Sequence, residues 1–179
     1  MLWLALFYPD LPLEVFGSEH VNSRLPTVVL DADTVILCNA AAKSTNILGG
    51  STLTTAQSIR NDLVYFRRNY ALEKKSFDLL ISKLYSLSDQ ISKASDQVLL
   101  LEVGASLRLF DNAETILQKA VDLSLHVGHQ VIGRFAATPH IAVALAYSNT
   151  DNLSKVLITD SALDLAGISE KIIRQLPDM

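Results

Sequence analysis

Gln97-Val-Leu-Leu-Leu-Glu-Val103 reads as a near-continuous apolar strand, and the helix and second strand after it decide the fold. Asp111 and Glu114 form a capping-box-like pair ahead of a helix that carries Ile116, Leu117, Ala120, Val121 and Leu125. Gly128 supplies the stop, and Gln130 to Ala136 is the second strand. A strand-helix-strand crossover between residues 97 and 136 argues for an α+β or α/β sheet with helices on one face.

Toward the N-terminus, Leu2 to Phe7 is a short apolar run ended by Pro9, as expected of a strand covered on both faces. Thr27 to Leu30 and Thr34 to Cys38 are β-branched runs around Asp31-Ala-Asp33, a hairpin pattern. A helical stretch over Ala40 to Ser44 precedes Gly49-Gly50, and Ser51 or Thr52 caps a helix running toward Ile59. Phe77, Leu80, Ile81, Leu84, Leu87 and Ile91 recur at helical spacing, which predicts an amphipathic helix over 73–91. Thr138-Pro139 opens another helix. The chain turns more polar at Asn149 and carries a last helical pattern from Ser161 to Leu176.

The chain has 179 residues, enough for one compact domain or one domain with a small insertion. With 49% hydrophobic and 19% charged residues it can form a core, which argues against wholesale disorder. The formal charge is -4, so any contact with nucleic acid must use a locally basic surface. The lone Cys38 excludes an internal disulfide or a cysteine zinc cluster and fits a reducing cytoplasm. The apolar N-terminal run is too short for a membrane span, so no membrane role is expected.

Leu99-Leu-Leu-Glu-Val-Gly-Ala-Ser-Leu-Arg-Leu-Phe110 closely resembles the strand-and-turn motif of ImuB proteins, polymerase-like members of bacterial mutagenesis cassettes related to UmuC and DinB. Three further blocks agree in order and spacing: Leu2 to Glu14, Cys38-Asn-Ala-Ala-Ala-Lys43 with Gly49-Gly50, and Phe135-Ala-Ala-Thr-Pro139. The resemblance covers roughly residues 1 to 146. It implies a ferredoxin-like polymerase palm over 1–20 and 73–148, with a small helical fingers insertion over 21–72. Residues 149–179 would begin a thumb or form a C-terminal stub.

The resemblance also says where chemistry would sit. Two-metal phosphoryl transfer needs carboxylate oxygens around Mg²⁺. In active relatives one acidic ligand lies on the first strand and an Asp-Glu pair begins the central strand. Those positions fall here on Ala5 and on Gln97 and Val98, and a further acidic position falls on Phe7. The fingers tyrosine and arginine that hold a triphosphate fall on Ala40 and Lys43, and the lysine after the last palm strand falls on Val143. The tyrosine that screens the sugar falls on Asp10. Only Lys43 keeps a matching charge. The expectation is a site without catalytic ligands, and hence no cofactor.

Other residues offer themselves. Asp96 and Glu102, together with Asp10, are the candidates for a substituted Mg²⁺ site in a weak nucleotidyltransferase. Alternation along the strand turns Asp96 away from the face Gln97 uses. His126 and His129 are three apart, with Gly128 between them, and read as partly exposed turn residues; His140 and His20 read as helix-surface and loop residues. Arg60, Arg67, Arg68, Lys74, Lys75 and Lys83 lie among Asp62, Glu73 and Asp78. They form the one locally basic stretch, a weak primer-template DNA contact or a solvated helical surface. Arg174-Gln-Leu-Pro-Asp-Met179 lacks the paired terminal hydrophobics of a clamp-docking peptide.

The resemblance implies a non-catalytic accessory or scaffold in translesion synthesis and SOS-type induced mutagenesis, in the bacterial cytoplasm. Its partners would be an error-prone polymerase, an ImuA-like protein and the sliding clamp, contacted through segments expected beyond residue 179. The alternatives are the substituted-site nucleotidyltransferase and an unrelated α/β binding module.

Overall fold

The computed structural model describes residues 1–148; the helical pattern over 161–176 and the expected start of a thumb lie outside them. The described residues form two compact units, one made of Met1–Pro9 with residues 79–148, the other of Asp10–Asp78.

The larger unit holds a four-stranded sheet. Its strands are β1 (Trp3–Phe7), β5 (Ile91–Ser95), β6 (Val98–Glu102) and β7 (Ile132–Ala136), in the order β5-β6-β1-β7. β1 runs antiparallel to both β6 and β7, so those two run parallel with β1 between them. This is the strand order of a ferredoxin-like palm, and the expected α+β class holds.

Side chains alternate across the sheet and need cover on both sides. Leu4, Leu6, Leu99 and Leu101 are fully buried on one face, and Ala5, Val98 and Leu100 are buried on the other. The first face lies under α6 (Ala113–Val127), where Leu117 approaches Gly133 so closely that a Cβ there would displace it. The second lies under α7 (Pro139–Tyr147), whose Ala142, Val143, Leu145 and Ala146 share one apolar cluster with Ala5, Val98 and Leu100. Helices therefore cover both faces, not one as the sequence suggested. The near-continuous apolar character of β1 and β6 requires this.

The helix ends follow their local chemistry. Asn112 caps α6 by accepting from the Thr115 amide at 2.8 Å, one residue after the expected Asp111, which itself sits at φ +64°. Gly128 closes α6 at φ +97°, a left-handed position that favours glycine. Thr138 precedes α7 without a side-chain cap bond.

The smaller unit is built on a three-stranded sheet, β3-β2-β4. β2 (Thr27–Asp31) and β3 (Thr34–Cys38) form the expected hairpin, and β4 (Val64–Arg67), which the sequence did not signal, pairs parallel with β2. Around them lie α1 (Leu11–Glu14), α2 (Ala40–Ser44) and α3 (Leu53–Ile59). Buried Asn39 ties the unit together. Its Oδ1 accepts from the amides of Thr27 and Ala42, and its Nδ2 donates to the carbonyls of His20, Ser23 and Leu25.

The units divide at Pro9/Asp10 and Asp78/Leu79, whereas the resemblance set the fingers at 21–72. Residues just outside that range are held by the smaller unit: Phe16 stacks on Phe66 with centroids 4.6 Å apart, and Glu73 pairs with Arg68. The helix α4 (Tyr70–Leu84) begins before Glu73 and stops short of Ile91, which opens β5 instead. Leu87 is buried beyond the helix end, so the apolar spacing continues where the helix does not. Among the described residues no helix is long and apolar enough to cross a membrane.

Candidate functional site

In the larger unit, antiparallel pairing sets Phe7 opposite Val98 and Ala5 opposite Leu100. Ala5, Phe7 and Val98 thus share one face at neighbouring positions, the arrangement that would focus carboxylates on a pair of cations. The side chains present do the reverse. Ala5, Val98 and Val143 are all buried in the same apolar cluster. Phe7 meets Tyr147 of α7 with ring centroids 4.8 Å apart, and the Tyr147 hydroxyl lies 2.6 Å from Ser95 Oγ. An aromatic pair and a hydroxyl pair thus close the space between the strand ends and α7.

Gln97 is the one polar residue among the three expected ligand positions, and its amide is committed elsewhere. Nε2 donates to the Pro9 carbonyl at 2.9 Å and to the Tyr8 carbonyl at 3.2 Å, while its backbone oxygen accepts from the Tyr8 amide at 2.8 Å. The residue knits the end of β1 to the β5–β6 turn. A divalent magnesium ion needs oxygen ligands, and this set of alanine, phenylalanine, valine and a bonded amide does not fit one.

The substitute carboxylates are placed for other work. Asp96 lies in the β5–β6 turn, not on a strand, so the alternation argument does not apply to it; its Oδ1 accepts from Lys93 Nζ at 2.9 Å. Glu102 pairs with Trp3 at the far end of the sheet, about 13 Å along β6 from Val98 at a strand rise of ~3.3 Å per residue. Its Oε1 accepts from the amides of Leu2 and Gly104, which fixes the chain start against the β6 exit. Arg134, which the sequence did not single out, is the cross-strand partner of Ala5; its Nη1 donates to the Gly133 carbonyl. The register alone brings it to that face.

In the smaller unit, Lys43 and Ala40 are exposed on α2. Asp10 precedes α1 with its carboxyl pushed above 3.8, chiefly by burial and then by Glu14, against a smaller opposing pull from Lys43.

The basic stretch is largely self-paired. Arg60 forks onto Asp62 at 2.8 and 2.6 Å, Arg67 donates to the Ala32 carbonyl and reaches Asp33 at 3.5 Å, and Lys74 meets Asp78 at 3.2 Å. These pairs are solvent-exposed, where ion pairing contributes roughly 0–1 kcal/mol and a phosphate can compete. Arg68 differs. It makes two 2.8 Å bonds to buried Glu73 and stacks over Tyr70 at 4.2 Å, and the Tyr70 hydroxyl donates to Asp31. Arg68 belongs to the framework, and Lys75 remains exposed.

The histidines are not brought together as ligands. His126 lies in the last turn of α6, exposed, with Nδ1 2.6 Å from the Asp122 carbonyl, whereas His129 is buried and not the partly exposed turn residue expected. His140 is exposed on α7, and His20 lies against Phe66 with centroids 4.8 Å apart. Among the described residues no group of three or more histidine, cysteine or acidic side chains is placed to hold a metal ion.

The model of the impB/mucB/samB family matches residues 18–159. Comparison with curated proteins gives no match. Similar solved structures include a Dbh ternary complex with partially disordered substrates, at 18% identity and TM-score 0.65 over 83% of this chain and 45% of that one. DinB from Sulfolobus solfataricus matches at 17% identity and TM-score 0.64 over 82% and 45%. A DinB family error-prone DNA polymerase from the same organism matches at 19% and 0.64 over 83% and 44%. At such identities the likeness shows the fold, and the chain spans under half the length of these structures.

Proposed function

Since the chain belongs to the impB/mucB/samB family, we propose that it is a Y-family polymerase-like protein without metal-dependent nucleotidyl transfer, serving as an accessory or scaffold in DNA damage tolerance. The observation that carries this reading is the composition of one sheet face. Ala5, Phe7 and Val98, the positions where the resemblance to active relatives would put carboxylates, are packed with Val143 in an apolar cluster. A fold that binds no metal gains by this exchange, because clustered unpaired carboxylates repel one another and resist burial. Asp10, at the position expected to screen the sugar, sets a carboxylate where a triphosphate would be repelled.

On this reading the protein works in the bacterial cytoplasm beside an error-prone polymerase, an ImuA-like protein and the sliding clamp, and touches primer-template DNA weakly. The resemblance to ImuB proteins supports those partners. Primer extension with Mg²⁺ or Mn²⁺ tests the catalytic half. No template-dependent incorporation is expected, and incorporation that Asp96→Ala or Glu102→Gln abolishes would overturn the proposal. A pull-down with clamp and polymerase, using the chain joined to any downstream sequence, tests the accessory half. Absence of both partners from the complex would count against it.

A further inference from the structure

We infer that Tyr147, Ser95 and Gln97 form a latch that clamps the C-terminal end of α7 onto the strand ends, so that the face carrying Ala5 and Val98 is held shut by a built contact. The three residues come from separate places in the chain. Tyr147 is the last residue of α7, Ser95 the last of β5, and Gln97 stands in the turn just before β6. The register sets Ser95 opposite Val98 and Val98 opposite Phe7, which puts the ends of β5, β6 and β1 in one row. Tyr147 contacts both outer members of that row, Phe7 with its ring and Ser95 with its hydroxyl.

The bonds run on from there. The Tyr147 hydroxyl lies 2.6 Å from Ser95 Oγ, and that oxygen also accepts from the Gln97 backbone amide at 3.3 Å. The Gln97 side chain then donates to the carbonyls of Pro9 and Tyr8. One path of hydrogen bonds therefore joins α7, β5, the β5–β6 turn and the exit of β1, all within the larger unit. Tyr147, Ser95 and Gln97 are each half-buried, where connected hydrogen bonds reinforce one another and the loss of one weakens the rest.

α7 depends on such a contact. It has nine residues, and isolated helices shorter than roughly 12–15 residues are marginal in water. It carries no side-chain cap bond at Thr138, no acidic residue in its first turn and no basic residue in its last. Three of its buried residues, Ala142, Ala144 and Ala146, are alanines, which bring little apolar area to the sheet. Its hold on the sheet near Phe7 therefore rests on Tyr147. That this face lacks catalytic ligands is taken from the proposed function; the latch itself stands on the hydrogen bonds.

Native-state hydrogen exchange on the full chain tests the latch with conservative variants. Tyr147→Phe keeps the ring and removes the hydroxyl, and should speed exchange of the Leu145, Ala146, Tyr147 and Ser148 amides about 5-fold or more. Ser95→Ala should do the same, and the double variant should exceed the larger single effect by less than about 2-fold, because both remove one bond. Gln97→Met, a change in the β5–β6 turn, should also speed exchange in the last turn of α7, by about 3-fold or more. The Ile116 and Ala120 amides of α6 should keep their parent rates throughout, which marks the loosening as local. Unchanged α7 exchange in Tyr147→Phe, additive effects in the double variant, a Gln97→Met effect confined to the turn and β1, or equal acceleration in α6 would each overturn the latch. Primer extension decides the proposed function separately, so a chain that proves inactive yet shows no coupling loses the latch alone.

Discussion

A single substitution measures how apolar the sheet face at Ala5 and Val98 is. Val98 is fully buried beside Ala5 and Val143, with Phe7 opposite. Val98→Glu would place a carboxyl in that cluster, where the residues that form it are all apolar and Arg134, the cation that the register brings to this face, stands one strand further on, beyond β1. Burial raises the folded pKa of such a group, by about 3 units for a well-buried acid. The penalty is absent below the unfolded value of ~4.3, grows as pH rises toward the folded value, and levels off near 4 kcal/mol at ~1.36 kcal/mol per unit. Thermal melts of the variant should therefore approach the parent near pH 4 and fall well below it at pH 7. A flat difference across that range would mean that the carboxyl reaches water. Asp10 obeys the same sign in the native chain, since burial already raises its carboxyl above 3.8. Asp10→Asn should raise the melting temperature at pH 7, and the gain should vanish as pH falls below 3.8.

Two asparagine caps show how differently one residue type acts in different elements. Asn112 satisfies one exposed amide at the start of α6, and Asn112→Ala should cost about 1 kcal/mol. Asn39 caps α2 but also holds the β2 amide of Thr27 and three loop carbonyls inside the smaller unit. Asn39→Ala leaves several buried groups unpaired and should cost about 3 kcal/mol or more in denaturant unfolding. The sequence made the first role legible to within one residue, because caps are local. It was silent on the second, because the partners lie up to nineteen positions away. The same distinction runs through the fold. β1, β2, β3, β6 and α6 carry their own patterns and were readable. β4 is four residues held by parallel pairing with β2, and β5 reads Ile-Ser-Lys-Ala-Ser at a sheet edge, so partners define both and periodicity does not. At the candidate site, Ala5, Gln97 and Val98 are singled out by the resemblance alone. Tyr147 and Ser95 were invisible to it, since only the folded sheet brings them to Phe7.

For the molecule as a whole, the question is whether an acidic chain of this family still meets DNA. Its net charge of -4 works against long-range attraction, so any contact rests on a few local cations. Arg68 is withdrawn from that set by its bonds to buried Glu73, whereas Arg67, Lys74 and Lys75 stay exposed, Lys74 in a solvent-screened pair and Arg67 in another with an added bond to the Ala32 carbonyl. Each phosphate neutralised adds roughly -0.9 to the slope of log K against log salt, so three contacts predict a slope near -2.7. Affinity for primed DNA should then fall about 40-fold between 50 and 200 mM salt. Replacing Arg67, Lys74 and Lys75 together by alanine should flatten that slope toward zero while leaving the unfolding midpoint nearly unchanged. Arg68→Ala should do the opposite, keeping the slope and losing about 3 kcal/mol of stability as Glu73 is left buried without its partner. Titrations of both variants at several salt concentrations, paired with denaturant melts, separate a DNA contact from a framework role. A parent slope already near zero would show that Arg67, Lys74 and Lys75 make no phosphate contact and would remove the whole stretch from the candidate interface.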